Sequence, residues 1–197
     1  MRIILLSFML VGFFCPAAMA AAPGETAPAF TLTDTDGFEH TLSDYLAAGR
    51  TVVLEWFNPD CPFIKKHHIV HRTMNETYAA TGDDVVWLCI NSSAPGKQGA
   101  GLKRNRKARK EYAMPYPVLL DADGAVGRLY GAKTTPHMFV VTPDGAVAYA
   151  GAIDDDRSAD RLGGTNHVAA ALSAMAAGEA VPVAETRPYG CSVKYGD

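Results

Sequence analysis

Cys61 sits where an apolar run, Thr51 to Phe57 (TVVLEWF), meets a segment that opens CPFIKKHH. The run reads as a buried strand and the segment after it as a helix, which puts the thiol at a helix start. The first amides of a helix lack intrahelical partners and its dipole is positive there, so thiolate is favoured over thiol. Pro62 suits the first helical position, where a missing amide proton costs nothing. Lys65, one turn along on the same face, adds positive charge, with Lys66 close behind. A lone cysteine is most often a small buried hydrophobe. Strand, thiol, proline and helix in this order reverse that expectation, and Cys61 is read as a nucleophile.

The compartment follows from the first twenty residues. Arg2 precedes the apolar run Ile3 to Phe14, and Ala18-Met19-Ala20 supplies a small-x-small cleavage pattern, so residues 1–20 read as a secretory signal peptide. The run is too short to span a bilayer. Phe14 is bulky where a lipoprotein signal wants a small residue, so Cys15 leaves with the leader. Cleavage would leave about 177 residues, 21–197, enough for a single domain with its own core. The formal charge of −3 becomes one unit more negative when Arg2 is lost. That balance points away from nucleic-acid partners and, after cleavage, from a membrane.

Three cysteines remain, an odd number for a periplasmic or secreted chain, so one of them is unpaired or pairs outside the molecule. Cys89, within Val85 to Asn91 (VVWLCIN), reads as packing in an interior strand. Cys191 follows Pro188-Tyr189-Gly190 in a polar tail, where an exposed thiol oxidises unless it has a partner.

Strand and helix signals alternate without linker or repeat, giving one α/β domain with a central mixed sheet flanked by helices. Ala29 to Leu32 reads as a strand, with Ser43 or Asp44 capping a short helix. The helix from Pro62 is expected to run to about Ala80 and stop at Gly82, with Phe63, His67, Val70, Met74 and Tyr78 on one face. Lys103 to Lys110 (KRNRKARK) reads as the solvated face of a helix ending near Tyr112, and Pro117 to Leu120 as a strand. Met138 to Val141 and Val147 to Ala150 form a hairpin through Pro143-Asp144-Gly145, and Thr165 caps a last alanine-rich helix. Asp154 to Asp156 reads as a solvated loop, and Gly96 with Gly99 to Gly101 as a mobile one. This order is that of the thioredoxin-like fold.

Val52 to Lys65 resembles the active-site strand and helix start of thioredoxin-like proteins, with Cys61 at the first cysteine of their CxxC and Ile64 at the second. Thr135-Pro136 matches the place of their cis-proline, an uncommon bond that implies a positional role. NPDCPFIKKH, TTPHMFVVTPDG, YAGAIDDD and TRPYGCSVKY together resemble the peroxiredoxin-like branch of the alkyl-hydroperoxide reductase and thiol-specific antioxidant (redoxin) family, over Gly24 to Tyr195. The resemblance implies a thiol oxidoreductase whose Cys61 reduces a hydroperoxide or exchanges with a disulfide. It also implies an external thiol reductant or protein disulfide as partner, and no cofactor. Asn58 stands where peroxiredoxins carry a Thr or Ser that binds the peroxide; it can donate and accept. Their arginine near the position of Pro136 is missing, which weakens fast peroxide reduction because that guanidinium polarises the O–O bond.

His137, directly after Pro136, is either a neighbour that tunes Cys61 or a hydrogen-bonded strand histidine. Cys61, His67, His68, His71 and His137 could in principle gather copper or zinc, but their spacing argues against a ready-made site. Thiol-disulfide exchange without peroxidase activity, and a copper-binding module, remain the alternative functions. Cys191 is the remaining thiol able to reach Cys61; it either resolves Cys61, or the tail docks with Cys191 pairing to another molecule or to nothing.

Overall fold

The computed structural model describes residues 21 to 196, so the leader call at 1–20 lies outside the described residues. A seven-stranded mixed sheet runs in the order β2-β1-β5-β4-β3-β7-β8. Its strands are β1 (Thr31–Asp34), β2 (Glu39–Thr41), β3 (Thr51–Trp56), β4 (Val85–Asn91), β5 (Val118–Leu120), β7 (Met138–Val141) and β8 (Val147–Gly151). β3, β4 and β5 are parallel neighbours, while β7 pairs antiparallel with both β3 and β8. A separate two-stranded ribbon joins β6 (Thr134–Thr135) to β9 (Cys191–Ser192) in the tail.

β3 is buried along its whole length, as a strand covered on both faces must be. Its side chains alternate between two cores. Val52, Leu54 and Trp56 join Leu88, Ile90 and Phe139 on one face; Val53 and Phe57 join Trp87, Cys89 and Cys61 on the other. Trp56 wedges between Tyr130 and Phe139, with ring centroids 5.2 and 5.3 Å away, and donates to Ser92 Oγ at 3.0 Å. Truncating so large a buried aromatic costs about 3–5 kcal/mol.

The helices are α1 (Leu42–Ala47), α2 (Pro62–Lys65), α3 (Thr73–Ala79), α4 (Leu102–Glu111), α5 (Ala125–Leu129) and α6 (His167–Ala176). The long helix expected from Pro62 to Ala80 is broken. α2 widens into a π turn over Lys66–Val70, closed by the His71 amide on Lys66 O at 2.9 Å, and Arg72 takes a left-handed φ of 54° before α3 begins. The inward face is therefore Ile64, Lys66, His67 and His68, while Val70 is exposed. Two expected caps shift by a residue or more. Thr41 precedes α1, and Asn166 rather than Thr165 caps α6, its side chain accepting from the Ala169 amide at 2.9 Å. α5 gave no periodic signal in five residues; the Asp121 carboxylate holds its start by accepting from the Gly127 amide at 2.8 Å.

Candidate active site

Cys61 precedes α2 in extended backbone, with φ −76° and ψ 128°, and Pro62 follows at the helix start. Its amide donates to Asn58 O and its carbonyl accepts from the Lys65 amide, both at 3.1 Å, so the turn and the first helical turn form one bonded unit. The sulfur is 0 % exposed and donates to the Thr135 carbonyl at 3.0 Å. The Thr135–Pro136 bond is cis.

Cys191 comes to the same residue from the tail. β9 runs antiparallel to β6 with Cys191 opposite Thr135. Burial pushes the Cys191 thiol up to about 11, helped by the neighbouring Cys61, with Lys194 opposing. The two sulfurs are neighbours, and both are free thiols. The approach depends on Gly190. At its φ of +136°, a Cβ would lie 2.2 Å from Thr135 O and 2.8 Å from Thr135 C.

Asn58 is buried and already engaged. Its Oδ1 accepts from the Asp60 amide at 2.9 Å and its Nδ2 donates to Gln98 O at 3.1 Å. The glycine loop expected to be mobile is tied down there, since a Cβ on Gly99 would sit 2.2 Å from Asn58 Oδ1. Arg104, from the basic run, grips the turn before Cys61 through Asp60 Oδ1 at 2.7 and 3.0 Å and Pro59 O at 3.2 Å. Part of that run thus works inward, whereas a wholly solvated face was expected.

Lys65 is exposed, one position past the buried Ile64; Lys66 is the lysine that turns inward. His137 faces away from the thiol. Its ring packs on Phe139 at 4.5 Å, in the core opposite Cys61, and its Nδ1 accepts from the Lys133 amide at 3.4 Å. Burial, with Lys133 adding to it, pushes its pKa down to about 3, so the ring is neutral. This placement favours the strand-histidine alternative over a direct partner for Cys61.

Two buried polar networks flank α2, and sequence reasoning missed both. In the first, Glu55 Oε1 meets His68 Nε2 at 2.6 Å, while Oε2 accepts from Trp87 Nε1 at 3.0 Å and Cys89 Sγ at 3.1 Å. Burial pushes the Glu55 carboxyl up, but the charge and bond from His68, with the bonds from Cys89 and Trp87, outweigh it and hold the group below its usual range. Burial and Glu55 push the Cys89 thiol well above its usual value. In the second, Tyr189 donates to Asp154 Oδ1 and meets His67 Nε2 at 2.9 Å and Lys66 Nζ at 3.2 Å; Lys66 Nζ is 3.5 Å from Asp154 Oδ2. Asp154, expected on a solvated loop, is buried at the centre of this cluster. Burial, and Lys66 against Asp154, bring the His67 pKa down to about 4.

The candidate metal ligands are dispersed by these arrangements. His67 serves Tyr189, His68 serves Glu55, His71 bonds Asp160 O at 2.8 Å and His137 lies in the opposite core. Glu55, His68 and Cys89 do converge, but as a mutually hydrogen-bonded set. No helix among the described residues is long and apolar enough to cross a membrane.

A relative named Thiol-disulfide oxidoreductase ResA, from Geobacillus thermodenitrificans, is 27% identical over 143 residues, spanning 72% of this chain and 76% of its own length. A Mycobacterium tuberculosis relative, named provisionally as a peroxiredoxin, is 30% identical over 136 residues, 68% of this chain and 79% of its own. The fold superposes on a hypothetical protein of Sinorhizobium meliloti 1021 with a TM-score of 0.78 and 25% identity, covering 90% of this chain and 97% of that one. It also superposes on an uncharacterized conserved protein of Geobacillus kaustophilus with a TM-score of 0.77 and 29% identity, covering 88% and 92%. The Redoxin family model matches residues 22–165, and the chain, with its thioredoxin-like fold, belongs to the redoxin family.

Proposed function

We propose that this redoxin is an exported thiol-disulfide oxidoreductase in which Cys61 is the nucleophile and Cys191 the resolving thiol. The observation that carries the reading is the meeting of both cysteines at Thr135, Cys61 through its Sγ bond to the carbonyl and Cys191 through the β6–β9 pairing. The likeness to proteins named thiol-disulfide oxidoreductase supports it.

In the reductive direction, Cys61 thiolate attacks one sulfur of a substrate disulfide, forming a mixed disulfide and expelling the other sulfur as a thiolate. Cys191 thiolate then attacks the Cys61 sulfur and expels the second substrate thiolate. The substrate gains two electrons, and the Cys61–Cys191 pair loses two as it becomes a disulfide. An external thiol reductant returns the pair to dithiol. The tail thus stands in for the local second cysteine that Ile64 replaces. A hydroperoxide could oxidise Cys61 to sulfenic acid, which Cys191 would condense to the same disulfide with loss of water. Disulfide exchange is favoured because both polar ends of the Asn58 amide are already engaged, Oδ1 by the Asp60 amide and Nδ2 by Gln98 O, at the position where a peroxide ligand is expected.

Peptide mapping under non-reducing conditions tests the reading, after one equivalent of either a disulfide peptide or hydrogen peroxide. The expected product is a Cys61–Cys191 cross-linked peptide, formed faster with the disulfide. Unpaired Cys191 beside over-oxidised Cys61 overturns the assignment, and faster reaction with peroxide makes the protein a peroxidase first. Export is tested separately, by mass analysis of the mature N-terminus recovered from the periplasm or medium.

A further inference from the structure

We propose that Tyr189 is the positioning residue that holds Cys191 at Cys61, with Lys66, His67 and Asp154 as its socket; this rests on Cys191 being the resolving thiol. The tail is fastened to β8 at Thr186, whose amide donates to Ala150 O at 3.0 Å and whose Oγ1 accepts from the Ala152 amide at 2.8 Å. Between that point and Cys191, Tyr189 alone is fully buried. Its hydroxyl gives its proton to Asp154 Oδ1 and lies 2.9 Å from His67 Nε2 and 3.2 Å from Lys66 Nζ. Its ring meets Phe63 edge-on at 5.8 Å and lies beneath Lys66 Nζ at 5.2 Å. Lys66 is itself fixed, donating to Asp156 O at 2.7 Å and Ser158 O at 3.2 Å.

Two members of the socket, Lys66 and His67, continue the helix that starts just after the nucleophile. Lys66 and His67 are five and six residues beyond Cys61, and Cys191 is two residues beyond Tyr189. Buried ion clusters are weak contributors to stability, and their best-attested use is to fix register. An apolar side chain at 189 could pack against Phe63 and hold the tail loosely. A hydroxyl with three directional partners allows one placement, which sets Cys191 opposite Thr135. A tail tethered by a long loop alone meets its target at roughly millimolar effective concentration. Groups held in near-attack geometry reach values many orders higher.

The test equilibrates the full chain in glutathione redox buffers, traps thiols with acid and alkylation, and quantifies the Cys61–Cys191 disulfide by mass. Tyr189→Phe keeps the ring and removes the hydroxyl; it should lower the effective concentration of Cys191 about tenfold to hundredfold, since bonds to charged groups are the strong ones. Asp154→Asn, which keeps an acceptor and removes its charge, should lower it in the same direction and serves if Tyr189→Phe does not fold. Tyr130→Phe removes another buried hydroxyl, bonded to Pro28 O at 2.8 Å away from the tail, and should leave the equilibrium unchanged. If the wild type forms the disulfide and Tyr189→Phe or its substitute stays within twofold of it, or Tyr130→Phe shifts it equally, the positioning role is overturned. If the wild type forms no such disulfide, the resolving role of Cys191 fails and this inference falls with it.

Discussion

Gly190→Ala is the most economical perturbation of the tail, because its consequence can be worked from one atom. The new Cβ would lie 2.2 Å from Thr135 O, 2.8 Å from Thr135 C and 3.3 Å from Pro136 N, all backbone atoms that cannot swing aside as a side-chain tip would. The φ of +136° is also one that L residues rarely adopt. Holding a non-glycine residue there costs about 1–3 kcal/mol before any clash is counted. At about 1.36 kcal/mol per factor of ten, docking of β9 weakens by roughly fivefold to 150-fold from strain alone. Relief requires either lifting the tail or moving the Thr135 carbonyl, the acceptor of the Cys61 thiol. Cys61 is fully buried, so a bulky maleimide reaches it only from an opened state, and labelling tracks the open population when reclosing is fast. Labelling of Cys61 in Gly190→Ala should rise tenfold or more, and the yield of Cys61–Cys191 disulfide should fall. Gly164→Ala, where no atom lies within 4 Å of the added Cβ, should label at the wild-type rate. Unchanged labelling and disulfide yield in Gly190→Ala would refute the argument that this contact closes the site.

Other expectations follow from the buried groups. Glu55→Gln removes the buried carboxylate that His68, Trp87 and Cys89 share and should lower unfolding stability by about 3–5 kcal/mol, read from the urea midpoint at constant slope; a loss under about 1 kcal/mol contradicts the reading of Glu55 as the charged centre of that network. His137 is held at about 3 in the fold against an ordinary 6.5, so the unfolded chain takes up a proton that the folded chain refuses. Stability should therefore fall as pH drops from about 6.5 toward 3, and His137→Gln should remove about one proton from that dependence between pH 6 and 4, measured by unfolding midpoints. Equal slopes in the two proteins would count against a neutral buried His137. Cys89 should resist alkylation and peroxide in the native protein while Cys61 and Cys191 react; mass mapping that finds Cys89 modified first would reverse the assignment of roles.

Much of the site is legible in local sequence because its parts are local. The run TVVLEWF, the thiol, Pro62 and the following helix start are contiguous, as are the hairpin and the Thr135-Pro136 pair. What escaped notice depends on partners far apart in the chain. Tyr189 and Lys66 are separated by 123 residues, and nothing in the local pattern of either calls for the other. Asp154 was misread for the same reason, because three carboxylates in a row look solvated until a lysine and a tyrosine arrive from elsewhere. Glu55 did carry a signal: a carboxylate inside an interior strand requires a partner, and His68 on the facing helix supplies it. Helical spacing placed Val70 inside, but it assumes an unbroken α-helix, and the π turn after Lys65 changes which later side chains face the core.

That turn has a mechanical consequence. By bringing Lys66, His67 and His68 inward one after another, it lets a short helix be moored by polar bonds on two sides, to the sheet through Glu55 and to the tail and the Asp154 loop through Tyr189. Apolar packing alone is non-directional and resists sliding along a helix axis less than oriented bonds do. Moored in this way, the helix brings Cys61, the residue just before its start, to each encounter with the reorganisation already completed during folding. Rigidity is thereby concentrated where Cys61 sits, against the sheet on one side and the tail on the other.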